Sequence, residues 1–337
     1  MNYQLNIIKK LSLYKVYNYG LLLGSYFYSK AFKKNYHRGF PFALSIEPTT
    51  SCNLRCPQCP SGLRQFTRPI GMLDPEMFNK FIDQIKSHVH SLNFYFQGEP
   101  YLNPDFLKMV KSASTNNIYT LTSTNAHYLT DEMSKLTIES GLDEMIISID
   151  GVTQEVYEQY RIGGKLDKVL EGAKNIIKWK KTLKSRTPFV VFQFVAFKSN
   201  EHQVEMVKQL GKQLGADTVR IKTAQIYDFE NSQELIPENK ALSRYKKDKF
   251  GKWQIKNPLL NQCWRMWQGC VITWDGKMVP CCFDKDAHYQ LGDLKKDLFK
   301  EVWKSQAYNA FRQSILNGRK EIDICKNCTE GTKVWAD

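Results

Sequence analysis

The chain has 337 residues, 42% of them hydrophobic and 24% charged. That length exceeds one compact core and implies a large domain with a smaller appendage, and the ordinary composition excludes a low-complexity or fibrous chain. Lys plus Arg outnumber Asp plus Glu by 48 to 34, a formal charge of +14, which favours anionic partners: a phosphorylated substrate, nucleic acid or a membrane face.

Met1 to Lys10 shows no apolar signal core, so the expectation is a cytoplasmic chain with reduced thiols. The segment 11–32 is rich in Leu and Tyr but contains Lys15 and Lys30 and no unbroken apolar run of about 18 residues, which argues against a spanning helix. Within an N-terminal helical segment, 1–40, it is expected to pack against the main domain or to lie on the inner membrane face. From residue 42 onward, strand-like and helix-like stretches alternate. Strands are expected at 42–47, 92–96, 118–123, 144–149, 189–197 and 218–223. Helices are expected at 75–89, 104–115, 130–140, 166–181 and 201–214. Such units imply a parallel sheet with crossover helices, too few to close an eight-fold barrel. The expected α/β fold is therefore a partial, open (β/α)6 TIM-like barrel over 41–225, with a flat doubly wound sheet as the alternative. Residues 226–262 read as a linker region, and 263–337 as a small cysteine-rich C-terminal domain.

Functional residues of such folds gather at the C-terminal ends of strands. Cys52 follows the first strand, Gly98 and Glu99 the second and Asn125 the third, and Asp150 ends the fourth. All nine cysteines fall within 52–59 and 263–328. Cys52, Cys56 and Cys59 form C-x3-C-x2-C on a loop. Three thiolates can hold three irons of a cubane and leave the fourth iron open, whereas a zinc site would want a fourth ligand, and 60–80 contains neither Cys nor His. The tail holds Cys263, Cys270, Cys281, Cys282, Cys325 and Cys328. Cys263 to Cys281 reads C-x12-G-x4-C around the turn signal Trp274-Asp275-Gly276, and Cys325 with Cys328 forms C-x2-C.

The first cluster resembles the signature of the radical S-adenosylmethionine (SAM) superfamily. Gln97-Gly98-Glu99-Pro100 is similar to its Gly-Gly-Glu-Pro motif, with Gln for the first Gly. Ser123-Thr124-Asn125-Ala126 is similar to its Thr-Asn-Gly segment. The resemblance implies a [4Fe–4S] cluster on Cys52, Cys56 and Cys59, with SAM chelating the open iron and yielding a 5′-deoxyadenosyl radical. It further implies that Gly98 and Glu99 receive the methionyl ammonium and that Asn125 lines the cavity. Ser148 and Asp150 would touch the methionine and the ribose, and Arg161 would pair with the carboxylate.

The tail resembles SPASM and shorter twitch domains, which append auxiliary iron–sulfur clusters. That implies one auxiliary [4Fe–4S] cluster on Cys263, Cys281, Cys325 and Cys328, with Cys270 or Cys282 as possible substitutes. The second auxiliary cluster of full SPASM domains is expected to be missing, since no cysteine follows Cys328. A zinc ribbon is the rival. The implied activity is a radical oxidoreductase that oxidises a sugar, alcohol or lipid-linked substrate through the auxiliary cluster, served by an external donor such as flavodoxin or ferredoxin. The alternatives are a maturase acting on a peptide or protein, and a zinc-stabilised nucleic-acid-binding protein, disfavoured because no reader module is recognisable. The substrate-facing candidates are Gln193, Lys222 and Gln225, with Arg220 beside them.

Overall fold

The computed structural model describes residues 2–331, those before Leu5 by their backbone alone; the last six residues of the expected tail domain lie outside them. Two helices, α1 (Asn2–Lys9) and α2 (Leu13–Phe32), precede the sheet. Ser12 caps α2 by accepting from the Lys15 amide. The sheet then builds as β1 (Ala43–Ile46), β2 (Ser91–Asn93), β3 (Tyr119–Thr124), β4 (Glu144–Ser148), β5 (Phe189–Ala196) and β6 (Thr218–Thr223), all parallel to their neighbours. Between them run α3 (Pro60–Leu63), α4 (Pro75–Ile85), α5 (Phe106–Thr115), α6 (Asp131–Glu139), α7 (Gln154–Tyr160), α8 (Leu166–Thr182) and α9 (Val204–Leu214). Asp74, Thr130 and Thr153 cap α4, α6 and α7.

The alternation along β5 sets the two sides. Val190, Phe192 and Phe194 join the core with Val169, Ile176 and Val207 of the helices, while Gln193 and Val195 stay half-buried on the inner side. α1 is anchored at the N-terminal ends of the strands, where Asn6 and Lys10 both bond Asp143 and Lys10 reaches the Ile118 carbonyl.

Two features differ from the sequence reading. Residues 226–262 carry an antiparallel ribbon, β7 (Tyr245–Lys247) and β8 (Trp253–Ile255), with its own cluster of Phe197, Ala224, Ile226, Ile236 and Tyr245. Scattered apolar residues too few to show a period are gathered there. The tail, moreover, extends the barrel sheet. After α10 (Trp264–Gln268), strand β9 (Val271–Ile272) pairs parallel to β1, and β10 (Lys277–Val279) and β11 (Gly292–Asp293) follow antiparallel, giving the order β11-β10-β9-β1-β2-β3-β4-β5-β6. Helices α11 (Phe299–Lys304), α12 (Gln306–Gly318) and α13 (Asp323–Lys326) complete the tail, and Trp264, Trp267 and Trp303 share one core with the barrel.

Candidate active site

β2 ends earlier than its sequence pattern implies. Beyond Phe94, whose amide still donates to the Leu121 carbonyl at 2.7 Å, the chain leaves the ladder and brings Gln97 over the cysteine loop. Gly98 has φ +74°, and a Cβ there would meet the Thr49 carbonyl oxygen at 2.2 Å, so only glycine fits this crossing. The Gly98 amide donates to Ser61 Oγ at 2.9 Å, and the Glu99 amide donates to the Ser51 carbonyl at 2.8 Å. Gln97, the departure from the expected motif, is buried with its Oε1 4.0 Å from Cys59 Sγ and 3.4 Å from Ser61 Oγ. It ties the second strand end to the cysteine loop.

A cleft of about 250 Å³ collects Cys52, Cys56, Cys59, Gly98, Glu99 and Arg161. Ser123, Asn125, Ser148 and Lys285 also line it. Arg161 donates from Nε to Asp150 Oδ2 at 2.5 Å and points Nη1 at Cys56 Sγ, 3.8 Å away. Asp150 itself is fully buried and does not line the cleft. Its other oxygen accepts from the Val195 amide at 2.7 Å. Each oxygen has one donor in this arrangement, and the carboxylate holds Arg161 against the thiols. Glu99 also differs from a free acceptor. It takes the Thr124 hydroxyl at 2.7 Å, the Asn125 amide at 2.8 Å and the Tyr101 amide at 3.4 Å. Burial still dominates and lifts its carboxyl to about 7. Asn125 Nδ2 donates to Asn53 on the cysteine loop, and Ser148 Oγ stands 3.5 Å from Ser123 Oγ.

In the tail, electrostatic neighbourhood sorts the six cysteines. Cys263 acts on Cys281, Cys325 and Cys328, and Cys328 also feels Cys325. Arg319, fully buried, places Nη2 3.1 Å from Cys328 Sγ and carries a charge that offsets Cys263, Cys325 and Cys328. Burial lifts Cys325 to about 11 and Cys328 to about 12, so these thiols keep their protons until a metal replaces them. Cys270 instead lies against Tyr308 and Arg312. Cys282 faces Arg265, Glu330, Lys285 and Lys222. Cys270 thus stands away from Cys263, Cys325 and Cys328, whereas Cys282 is the foremost charged neighbour of Cys281 and lines the same small cavity with it.

Among the described residues no three His, Cys, Asp or Glu side chains converge on a single ion. The donor set suits clusters: three thiols around a cleft with a cation beside them, and in the tail three thiols around Arg319 with Cys281 next to two of them, each cluster being held at its corners rather than at one metal.

Gln193 pairs in register with Ser148 and Arg220, on the inner side of the sheet, and Gln225 lies half-buried beyond β6. Arg220 bonds Glu144 at 2.9 Å. Lys222 is open to solvent within the lumen yet surrounded by Glu330, Arg244, Arg265 and Cys282; burial lowers its pKa and Glu330 opposes that. Lys285, Arg265, Glu330 and Arg68 escaped the sequence reading. Lys285 follows Cys282 by three residues, and that proximity was the available signal. Arg68 carried none.

Residues 46–210 match the Radical SAM superfamily, and 263–329 match SPASM, an iron–sulfur cluster-binding domain. The chain belongs to the radical SAM superfamily and carries a SPASM domain. Membership brings a [4Fe–4S] cluster with SAM, and an additional cluster in the tail. Among curated relatives of this radical SAM protein is the tungsten-containing aldehyde ferredoxin oxidoreductase cofactor-modifying protein of Pyrococcus furiosus. It is 27% identical over 301 residues, 80% of this chain and 82% of the relative. The AdoMet-dependent heme synthase of Methanosarcina barkeri is 27% identical over 299 residues, 79% and 82% of the two chains. The crystal structure of BtrN in complex with AdoMet and 2-DOIA shares the fold, with a TM-score of 0.55 at 17% identity over 89% of this chain and 97% of BtrN.

Proposed function

We propose that this radical SAM enzyme oxidises a small anionic substrate held in the barrel lumen, with the tail cluster taking the electron. Bound at the first cluster, SAM supplies the 5′-deoxyadenosyl radical that removes a substrate hydrogen atom. We assign the first cluster to Cys52, Cys56 and Cys59 and the auxiliary cluster to Cys263, Cys281, Cys325 and Cys328. Arg161, steered by Asp150, offsets charge at Cys56. Gly98, Glu99, Asn125 and Ser148 shape the cofactor's end of the cleft.

The observation that carries the proposal is the loop from Cys281 to Lys285. Cys281 sits with the tail quartet, whereas Lys285 lines the SAM cleft and acts on Cys59. Four residues of chain reach at most about 14 Å, so Cys281 and the SAM cleft lie no farther apart than that along this loop, and the space between them is where we place the substrate. That space is cationic. Lys222 and Lys285 have no hydrogen-bonded partner for their ammonium groups among the described residues, and Arg265 pairs with Glu330. Such charges are costly to enclose unless an anion meets them. The relatives' names, a cofactor modifier and a heme synthase, favour a cofactor-sized substrate over a peptide.

The test is release of 5′-deoxyadenosine by reconstituted, reduced protein supplied with SAM. A panel of phosphorylated and carboxylated small molecules is expected to stimulate release, and Lys222→Gln to raise the concentration needed at least tenfold, the loss of roughly one charge-assisted contact. Stimulation by uncharged sugars or by peptides, unaffected in Lys222→Gln, would overturn the substrate assignment.

A further inference from the structure

Helix α2 carries apolar residues on both faces, Leu22 and Tyr26 inward among them, whereas an ordinary surface helix turns its apolar stripe inward and its polar face to water. Its buried side is polar in part: Lys15 bonds the Lys10 and Asn117 carbonyls, Asn18 bonds the Phe40 backbone at both ends of its amide, and Ser29 does the same at Tyr36. Its outward side carries Leu13, Val16, Tyr17, Phe27, Tyr28 and Phe32, with Leu13 91%, Phe32 67% and Tyr17 63% exposed. Lys30 is the single charge among the exposed residues of the helix. Ile8, on α1, is 59% exposed.

Around this face the charge has one sign. Residues 1–46 contain Lys9, Lys10, Lys15, Lys30, Lys33, Lys34 and Arg38 and no Asp or Glu. Of these, Lys9, Lys30, Lys33, Lys34 and Arg38 are exposed. A cleft of about 260 Å³ opens beside the helix, lined by Tyr14, Tyr17, Arg38 and Lys304. No helix among the described residues is long and apolar enough to cross a bilayer.

We infer that the outward face of α2 docks on the surface of a membrane rich in anionic lipid. Its Leu, Phe and Tyr side chains would enter the headgroup boundary, and the flanking lysines and Arg38 would meet lipid phosphates. An exposed aromatic–aliphatic stripe of this extent is unfavourable in water and suits an interface, where ring bodies are buried and hydroxyls stay wet. The uniform positive rim selects an anionic surface over a second copy of the same positive face, which would repel it.

The full-length protein, in flotation assays, is expected to rise with vesicles of a roughly 3:1 mixture of phosphatidylcholine and phosphatidylglycerol, far less with phosphatidylcholine alone, and to be released by about 0.5 M salt. Lys33→Gln is expected to weaken partitioning about fivefold. The double variant Leu13→Ser/Phe32→Ser, altered only at exposed positions, is expected to stay with the unbound fraction while keeping wild-type 5′-deoxyadenosine release. Flotation of that variant equal to wild type would overturn the inference. So would a wild-type dimer in sedimentation equilibrium that the same variant abolishes, since the face would then be covered by a second copy.

Discussion

Glu99 is buried with three hydrogen-bond donors and no ion pair among the described residues. Its carboxyl, ordinarily near 4.5, titrates at about 7 because burial penalises the charge more than those donors favour it. In the unfolded chain the group ionises lower, so between about pH 4.5 and 7 the folded state holds more protons. Stability from Glu99 is therefore complete below pH 4.5 and is lost as pH rises through 7. Cofactor-free Glu99→Gln removes that dependence. Its urea midpoint at pH 7.5 is expected to exceed wild type, by on the order of 2–3 kcal/mol, and the two are expected to converge near pH 4.5. A parallel pH profile in both proteins would show that Glu99 is not held neutral by its site. Gln97 teaches a related lesson. The sequence showed a glycine replaced, but not that the amide would be spent on Cys59 and Ser61, because that contact depends on β2 ending early.

At the scale of elements, Arg68 bolts three segments together. Its guanidinium meets Glu47 through two bonds, Nη1 to Oε2 at 2.8 Å and Nη2 to Oε1 at 2.6 Å, and its Nε reaches the Lys285 carbonyl at 3.2 Å. Glu47 follows β1 and accepts from the Trp274 amide of the tail hairpin; Asp286 accepts from the Thr67 and Arg68 amides. The cysteine loop, the first strand and the tail are thereby locked. Glu47 is fully buried, and burial raises its pKa against the opposing pull of Arg68. Arg68→Ala leaves an uncompensated buried carboxylate and is expected to cost about 3–5 kcal/mol, read from the urea midpoint. The deficit should shrink on going from pH 8 to pH 5 as Glu47 takes up a proton. Glu47→Gln in the same chain should restore most of the loss. All six strands of the barrel were legible, because parallel strands between amphipathic helices alternate strongly in pattern. This lock was not, because Arg68 and Glu47 are 21 residues apart and neither lies in a periodic run.

At the scale of the molecule, the tail does not hang from the barrel but continues its sheet past β1, so the two cysteine sets belong to one body. The cysteine spacings disclosed both sets; they could not decide among six tail thiols, since Cys281 and Cys282 are adjacent and lie in a turn whose shape the sequence does not give. The folded arrangement sets Cys282 beside Arg265, Lys285 and Lys222 and Cys270 beside Tyr308 and Arg312, and gathers Cys263, Cys325 and Cys328 around Arg319, with Cys281 near Cys263 and Cys328. Anaerobically reconstituted wild type should therefore hold about eight irons and about eight acid-labile sulfides, two [4Fe–4S] clusters. Cys325→Ala/Cys328→Ala should hold about four of each, the remaining set being that of Cys52, Cys56 and Cys59. Cys270→Ala and Cys282→Ala should each keep about eight irons if the tail quartet is the one proposed above. Arg319→Gln should lose its tail cluster to a chelator 10–100-fold more readily, since a group that orients and neutralises ligands contributes on that scale. Zinc in place of half the iron, with sulfide at about four, would instead make the tail a zinc site and remove the electron acceptor that the proposed oxidation requires.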